Sequence, residues 1–307
     1  VDLPAKRTPG GEEPARVTRS GKIKTYQIWK SSLFLLVAGG LLAALATLVS
    51  PRDRTDGETD WDRRTAGGLR ETQGSFVHHF GSGHDSEYWR KSDHYYPNSP
   101  HPAWKAELVH FRKDRVELEV RRERTAYKTI SGAEYYRRGF YHFGRYEVVM
   151  QAAPGSGTVS AMFTHTHDQF GDPHDEIDIE FLGKDLTRMY ANYFADGRNM
   201  GGAHIPLGFD ASKGIHLYAF EWDPDEIRWH VDDRLVYIAT ADTHPIPQTP
   251  GRLMLSLWSS GNELADWHGK PTFQDGARAR YYCLSYRATG DRTGQCSDTF
   301  TTGNRTR

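Results

Sequence analysis

Beyond its first 50 residues, this 307-residue sequence predicts an all-β sandwich, and three features carry that prediction. Short runs alternate apolar and polar side chains at the two-residue period of a strand, as in Val116-Glu-Leu-Glu-Val120. Turn pairs such as Pro154-Gly155, Asp223-Pro224 and Pro250-Gly251 recur between the runs. No stretch after residue 50 keeps a 3.6-residue apolar period, so helices contribute little there. A single sandwich domain of about 200 residues fits a chain of this length.

Taken in order, residues 1–30 form a basic N-region with seven Lys or Arg against three acids. Residues 31–50 are nearly continuous in Leu, Ala, Val and Phe and lack charge, which predicts one N-terminal hydrophobic helix long enough to cross a bilayer. The basic flank stays in the cytoplasm by the positive-inside rule, so the rest of the chain is expected outside it. Ala44-Leu45-Ala46 fits a signal-peptidase site and a secreted product, whereas the full-length apolar run fits an uncleaved membrane anchor. Residues 51–72 are charged, aperiodic and poor in apolar groups, the composition of a flexible linker. The strand-rich domain is expected over 73–290, with a C-terminal tail over 291–307. Within it, Ile227–Val231 and Arg234–Ile238 flank Asp232-Asp233 as a tight hairpin, and Leu253–Trp258 is a further strand. With 39 Lys and Arg against 40 Asp and Glu, no basic surface argues for nucleic acid.

The stretch richest in chemistry is His174-Asp-Glu-Ile-Asp-Ile-Glu-Phe-Leu-Gly183, where Glu176, Asp178 and Glu180 recur every second residue. In a strand these carboxylates share one face, while Ile177, Ile179 and Phe181 enter the apolar layer behind it. Like charges held close raise at least one pKa, so the row offers an anion and a protonated acid together. Two-carboxylate glycoside hydrolysis uses such a pair. Phe163, Tyr193, Phe194, Trp258 and Trp267, at or near the ends of other strands, would supply flat faces for stacking on sugar rings.

The ordered motifs Tyr141-His-Phe-Gly-Arg-Tyr-Glu-Val148, Phe163-Thr-His-Thr166, His174 to Asp185, Asn192-Tyr-Phe-Ala-Asp-Gly197, Leu207-Gly-Phe-Asp210, Tyr218-Ala-Phe-Glu-Trp222 and Ile246-Pro-Gln-Thr-Pro-Gly251 resemble glycoside hydrolase family 16. Its bacterial lichenase-type endo-β-1,3-1,4-glucanases and exopolysaccharide-processing β-glycanases are the nearest subgroup, and the resemblance spans roughly residues 75–288. It implies a concanavalin-like jelly roll with an open concave cleft. It also implies a retaining endo-β-glycanase with Glu176 as nucleophile, Asp178 as an orienting group and Glu180 as acid/base. Glu-Ile-Asp-Ile-Glu without an inserted residue matches the lichenase branch rather than the bulged laminarinase branch.

By the same resemblance Tyr95, Glu134, Phe163, His165, His174, Asn192, Phe194, Trp258 and Trp267 contact glucan, and Tyr95 with Trp104 closes one cleft end. The sequence departs from the family at His174 (usually Trp), Ser256 (Asn), Tyr136 (Arg) and His165 (Tyr), which bears on which glucan is cleaved rather than on whether one is. A transglycosylase would share the catalytic residues, and a lectin-like module would share the fold without turnover.

Cys283 and Cys296, the only cysteines, stand 13 positions apart. In an exported chain they can pair, a closure contributing roughly 3 kcal/mol by chain entropy; the alternative is two free thiols. His165, His167 and His174 with Glu176 contain enough donors for a metal, but the spacing is not that of a helix-borne site, and sugar contact is the expected role. No cofactor or catalytic metal is expected; a structural calcium, as in relatives, is compatible with the sequence. A monomer acting on β-linked polysaccharide, tethered to a membrane only through residues 31–50, completes the expectation.

Overall fold

The computed structural model describes residues 68, 70–81 and 83–300. The basic N-region, the hydrophobic segment 31–50 and most of the linker lie outside the described residues. Among those that are described, no helix is long and apolar enough to cross a membrane.

In chain order the described strands are β1 (Phe76–His79), β2 (Trp89–Lys91), β3 (Ala103–Trp104), β4 (Val109–Phe111), β5 (Val116–Arg122), β6 (Ile130–Arg137), β7 (Gly144–Gln151), β8 (Val159–Thr166) and β9 (Asp175–Leu182). They continue with β10 (Arg188–Ala195), β11 (Arg198–Asn199), β12 (Ala203–Pro206), β13 (His216–Trp222), β14 (Glu226–Val231), β15 (Arg234–Thr240), β16 (Arg252–Trp258) and β17 (Ala277–Ala288). The only α-helix among the described residues is one turn, α1 (Ala265–His268). Two antiparallel layers result. The cleft sheet runs β2-β6-β16-β8-β9-β10, with β11 and β12 pairing along β10. In the back sheet β17 pairs with β7 on one side and with β1 and β5 on the other, and β7 continues into β13, β14 and β15. This is the jelly-roll sandwich.

The alternation in β9 is what joins the layers. Ile177, Ile179 and Phe181 are fully buried between the sheets, each contributing roughly 1.5–3 kcal/mol through burial. Phe181 meets Tyr218 of β13 edge to face at 4.7 Å. Back-sheet side chains also bond to the backbone of the cleft sheet. Trp229 Nε1 donates to the Asp178 carbonyl at 3.0 Å, and the Tyr281 hydroxyl donates to the carbonyls of Ala161 (3.0 Å) and Ser256 (2.9 Å). The first of these bonds holds the acid-bearing strand β9 from behind, and the other two hold its neighbours β8 and β16.

The Asp232-Asp233 hairpin forms as expected, both residues taking positive φ (47° and 61°), which a two-residue turn between twisted strands requires. Both ends of the domain, the cysteines and one aromatic add detail that composition does not show. Ahead of residue 73, Arg70 is buried with its Nε on Asp172 at 2.8 Å and its guanidinium over Phe140, and Thr72 bridges to Phe140. At the other end Gln295 and Cys296 are buried, so the stretch after residue 290 is anchored at that point. Composition misses such edges because one buried ion pair or one covalent bond holds them. Cys283 and Cys296 form a disulfide, which settles the pairing left open above. Finally, Tyr193 is a core residue, 2 % exposed, because its parity in β10 is opposite to that of Asn192 and Phe194.

Candidate active site

Strand register converts the sequence motifs into rows across the cleft sheet. Glu176 lies between His165 of β8 and Phe194 of β10; Asp178 between Phe163 and Asn192; Glu180 between Ala161 and Tyr190. One strand further, Met254 stands opposite Phe163 and Ser256 opposite Ala161, and β6 adds Tyr136 and Glu134 beside them. The three acids therefore share one face with most of the residues expected to contact sugar. Gly183 ends the strand where a Cβ would come within 2.1 Å of the Gly155 carbonyl oxygen, so only glycine lets β9 close against that loop.

The three carboxyls occupy different environments. Burial alone would raise the Glu176 pKa, but two hydrogen bonds on its Oε2, from His165 Nδ1 at 2.6 Å and His174 Nε2 at 2.8 Å, hold it well below the ordinary carboxylate range. Reciprocally, burial lowers the His174 pKa but the Glu176 carboxylate outweighs it, and the net shift is upward. Asp178, 3 % exposed, is pushed far up, first by burial and then by Glu176 and Glu180, while Asn192 Nδ2 donates to its Oδ2 at 3.1 Å. Glu180 rises to about 8, from burial first and the Glu176 charge second. Around neutral pH the strand thus presents an anion at Glu176 and a proton donor at Glu180, with Asp178, its carboxyl pushed toward the protonated form, between them. Burial first, and the neighbouring Glu180 and Asp178 carboxyls second, push the Tyr190 phenol up to about 12.

The expected sugar contacts divide into two groups. Phe163, His165, His174, Asn192 and Phe194 cluster around Glu176 and Asp178, with the His174 ring stacked on Phe194 at 4.6 Å. Glu134 lies on the same face three strands from β9, accepts a bond from Ser92 Oγ, and is raised by burial despite that bond. Trp104, Trp258 and Trp267 form an aromatic group at the other end of the strands with Val159, Leu182 and Tyr190. Tyr95 is outside that group, half-exposed and stacked on Tyr127 at 4.9 Å. Sequence reasoning missed Ser92 and Tyr190. It also missed a 210 Å³ pocket lined by Leu182, Lys184, Asp185, Arg188, Tyr190 and His204. Tyr190 was accessible to parity, being two residues before Asn192; the pocket depends on pairing with β12 and was not.

Comparison with known proteins agrees with this geometry. The family model for glycosyl hydrolases family 16 matches residues 97–276. The chain is 41% identical over 199 residues to a beta-glucanase of Paenibacillus macerans, covering 64% of this chain and 82% of the relative. It is 37% identical over 223 residues to a beta-glucanase of Bacillus subtilis, covering 72% and 90%. The structure of Bacillus licheniformis beta-glucanase superposes with a TM-score of 0.65 at 35% identity, over 71% of this chain and 99% of that one. With a matched domain, a shared fold and an acid row set in a cleft, this chain is a glycoside hydrolase and belongs to family 16.

Proposed function

We infer that the enzyme is a retaining endo-β-glycanase that hydrolyses β-1,3-1,4-linked glucan or a related bacterial exopolysaccharide through a covalent glycosyl-enzyme. The observation that carries the reading is the pair of unlike carboxyls on one face of β9. Glu176 is ionised and aimed by two histidines, and Glu180, two positions beyond Asp178, keeps its proton to about pH 8. In this reading Glu180 protonates the glycosidic oxygen as Glu176 attacks the anomeric carbon. Asp178 holds its proton toward Glu176, and Glu180, now a base, then activates the water that releases the sugar. The beta-glucanase relatives support the substrate class. A buried disulfide between Cys283 and Cys296 supports action in an oxidising, extracytoplasmic compartment, with no cofactor and no resident metal needed for turnover.

Proton NMR of the first products from a mixed-linkage β-glucan tests the reading. Retention gives the β-anomer before mutarotation. An initial α-anomer would require a wider carboxylate pair with water between, and would overturn the roles given to Glu176 and Glu180.

A further inference from the structure

Glu176 meets one histidine through strand pairing and the other from just ahead of its own strand. His165 is delivered by β8 directly opposite it, and His174 comes from the residue preceding β9. Nδ1 of His165, Nε2 of His174 and Oε2 of Glu176 all lie within 4.8 Å of one another, with part of each side chain open to the cleft. Ring packing holds the donors in place: His174 lies flat on Phe194 and edge-on to His165 at 5.1 Å. Two imidazole nitrogens and one carboxylate oxygen, with an open side, are the donor set of a three-ligand zinc site, whereas calcium and magnesium want oxygen throughout.

We propose that His165, His174 and Glu176 form an inhibitory site for Zn²⁺, which ties up the carboxylate before it can attack sugar. Bonds of about 2.0–2.1 Å from a tetrahedral ion set its ligand atoms roughly 3.3 Å apart. The two nitrogens now sit 2.6 and 2.8 Å from Oε2, so side-chain adjustments of about half an ångström admit the ion. Water completes the coordination from the cleft. The zinc takes the place of the hydrogen bonds that aim the carboxylate and occupies the lone pair at Oε2. The chain therefore has two exclusive states, zinc-bound and silent or zinc-free and active. Only the inhibitory consequence rests on Glu176 being the nucleophile; metal binding stands on the donor geometry alone.

The test titrates the metal-free full chain with ZnCl₂ by calorimetry at neutral pH, follows the visible d–d bands of bound Co²⁺, and measures β-glucan hydrolysis with added Zn²⁺ and then EDTA. One zinc per chain is expected, with four-coordinate cobalt bands, inhibition that tracks occupancy, and recovery by EDTA. His165→Phe and His174→Phe should each weaken zinc affinity at least tenfold, every variant being compared with its own metal-free rate. His167→Ala should leave affinity unchanged, because its ring neighbours His165 but its nitrogens are not part of the convergent set. Should the Phe variants fold poorly, His165→Tyr and His174→Trp remove the same nitrogens at greater bulk. Absence of stoichiometric binding, or affinity unaltered in both histidine variants, overturns the site and leaves the glycanase reading untouched. Stoichiometric binding that does not slow turnover sustains the site and instead removes Glu176 as nucleophile.

Discussion

Two strands of this domain have alternating acids, and they answer the cost of burying them in opposite ways. In β5, Glu117 and Glu119 are 3 % and 2 % exposed. Arg278 spans both, with Nη2 on Glu119 at 2.6 Å and Nη1 on Glu117 at 3.1 Å, while Arg115 and Arg112 reach Glu117 and Arg121 and His110 reach Glu119. Burial pushes both carboxyls up, but the arginine hydrogen bonds win and the net shift is downward. In β9, two histidines serve Glu176 alone; among the described residues no arginine or lysine bond falls on Asp178 or Glu180, and both rise. Matched charges make a structural strand, and unmatched ones make a reactive strand. Where the fold leaves burial unrelieved, it stores the protonation state that the proposed mechanism uses.

Substitutions at corresponding places separate the two solutions. The largest effect belongs to Glu176→Gln, which keeps size and polarity but removes the anion: turnover should fall by roughly 10⁴-fold or more with the thermal transition intact. Near-normal turnover in a folded variant would end the proposed mechanism. Glu180→Ala comes next, with a loss on the order of 10²–10⁴-fold for ordinary glucan. A substrate with a good leaving group should still glycosylate this variant, and azide should then restore release as a glycosyl azide; no rescue would refute the acid/base role. In the intact enzyme, protonated Glu180 is competent below about pH 8 and lost above it, so kcat/KM should decline on the alkaline side there.

Stability measurements read the same contrast at smaller scale. The folded-state pKa of Glu180 lies above its ordinary 4.5, so the cost it imposes on the fold is absent below pH 4.5 and grows as pH rises toward 8. Glu180→Gln should therefore raise Tm at pH 7 and change little at pH 4. Glu119→Gln should do the reverse at neutral pH, costing about 1–2 kcal/mol, since it takes the anion from Arg121 and His110 and leaves Arg278 only Glu117, the partial exposure of all three softening the loss. Its kcat should stay at the wild-type value; a slowed enzyme would show that the back sheet reaches into the chemistry.

Parity made much of this legible. The period of two in residues 176–181 placed three acids on one face and three apolar groups on the other, and the Asp232-Asp233 turn followed from its flanking runs. The same period could not tell β5 from β9, because what differs is the strand next door: Arg278 and Arg280 come from β17, some 160 positions away in sequence. Likewise His165 reads as a sugar contact until the β8–β9 register sets it opposite Glu176, and His174 until its Nε2 is found on the same carboxylate. Tyr193 shows the converse error, an aromatic placed in the cleft by kind although its parity points it into the core.

The pairing of β17 has a consequence for the order in which the domain can be built. That strand alone bonds to β1, β5 and β7, so the back sheet lacks its central member until residues 277–288 have been made. Contacts so distant in sequence close late, because the entropy of the intervening loop must be overcome first. A growing or translocating chain therefore stays pliable until nearly all of the domain has emerged. The Cys283–Cys296 bond, whose first half lies in that strand, then locks a sheet that has only just been completed.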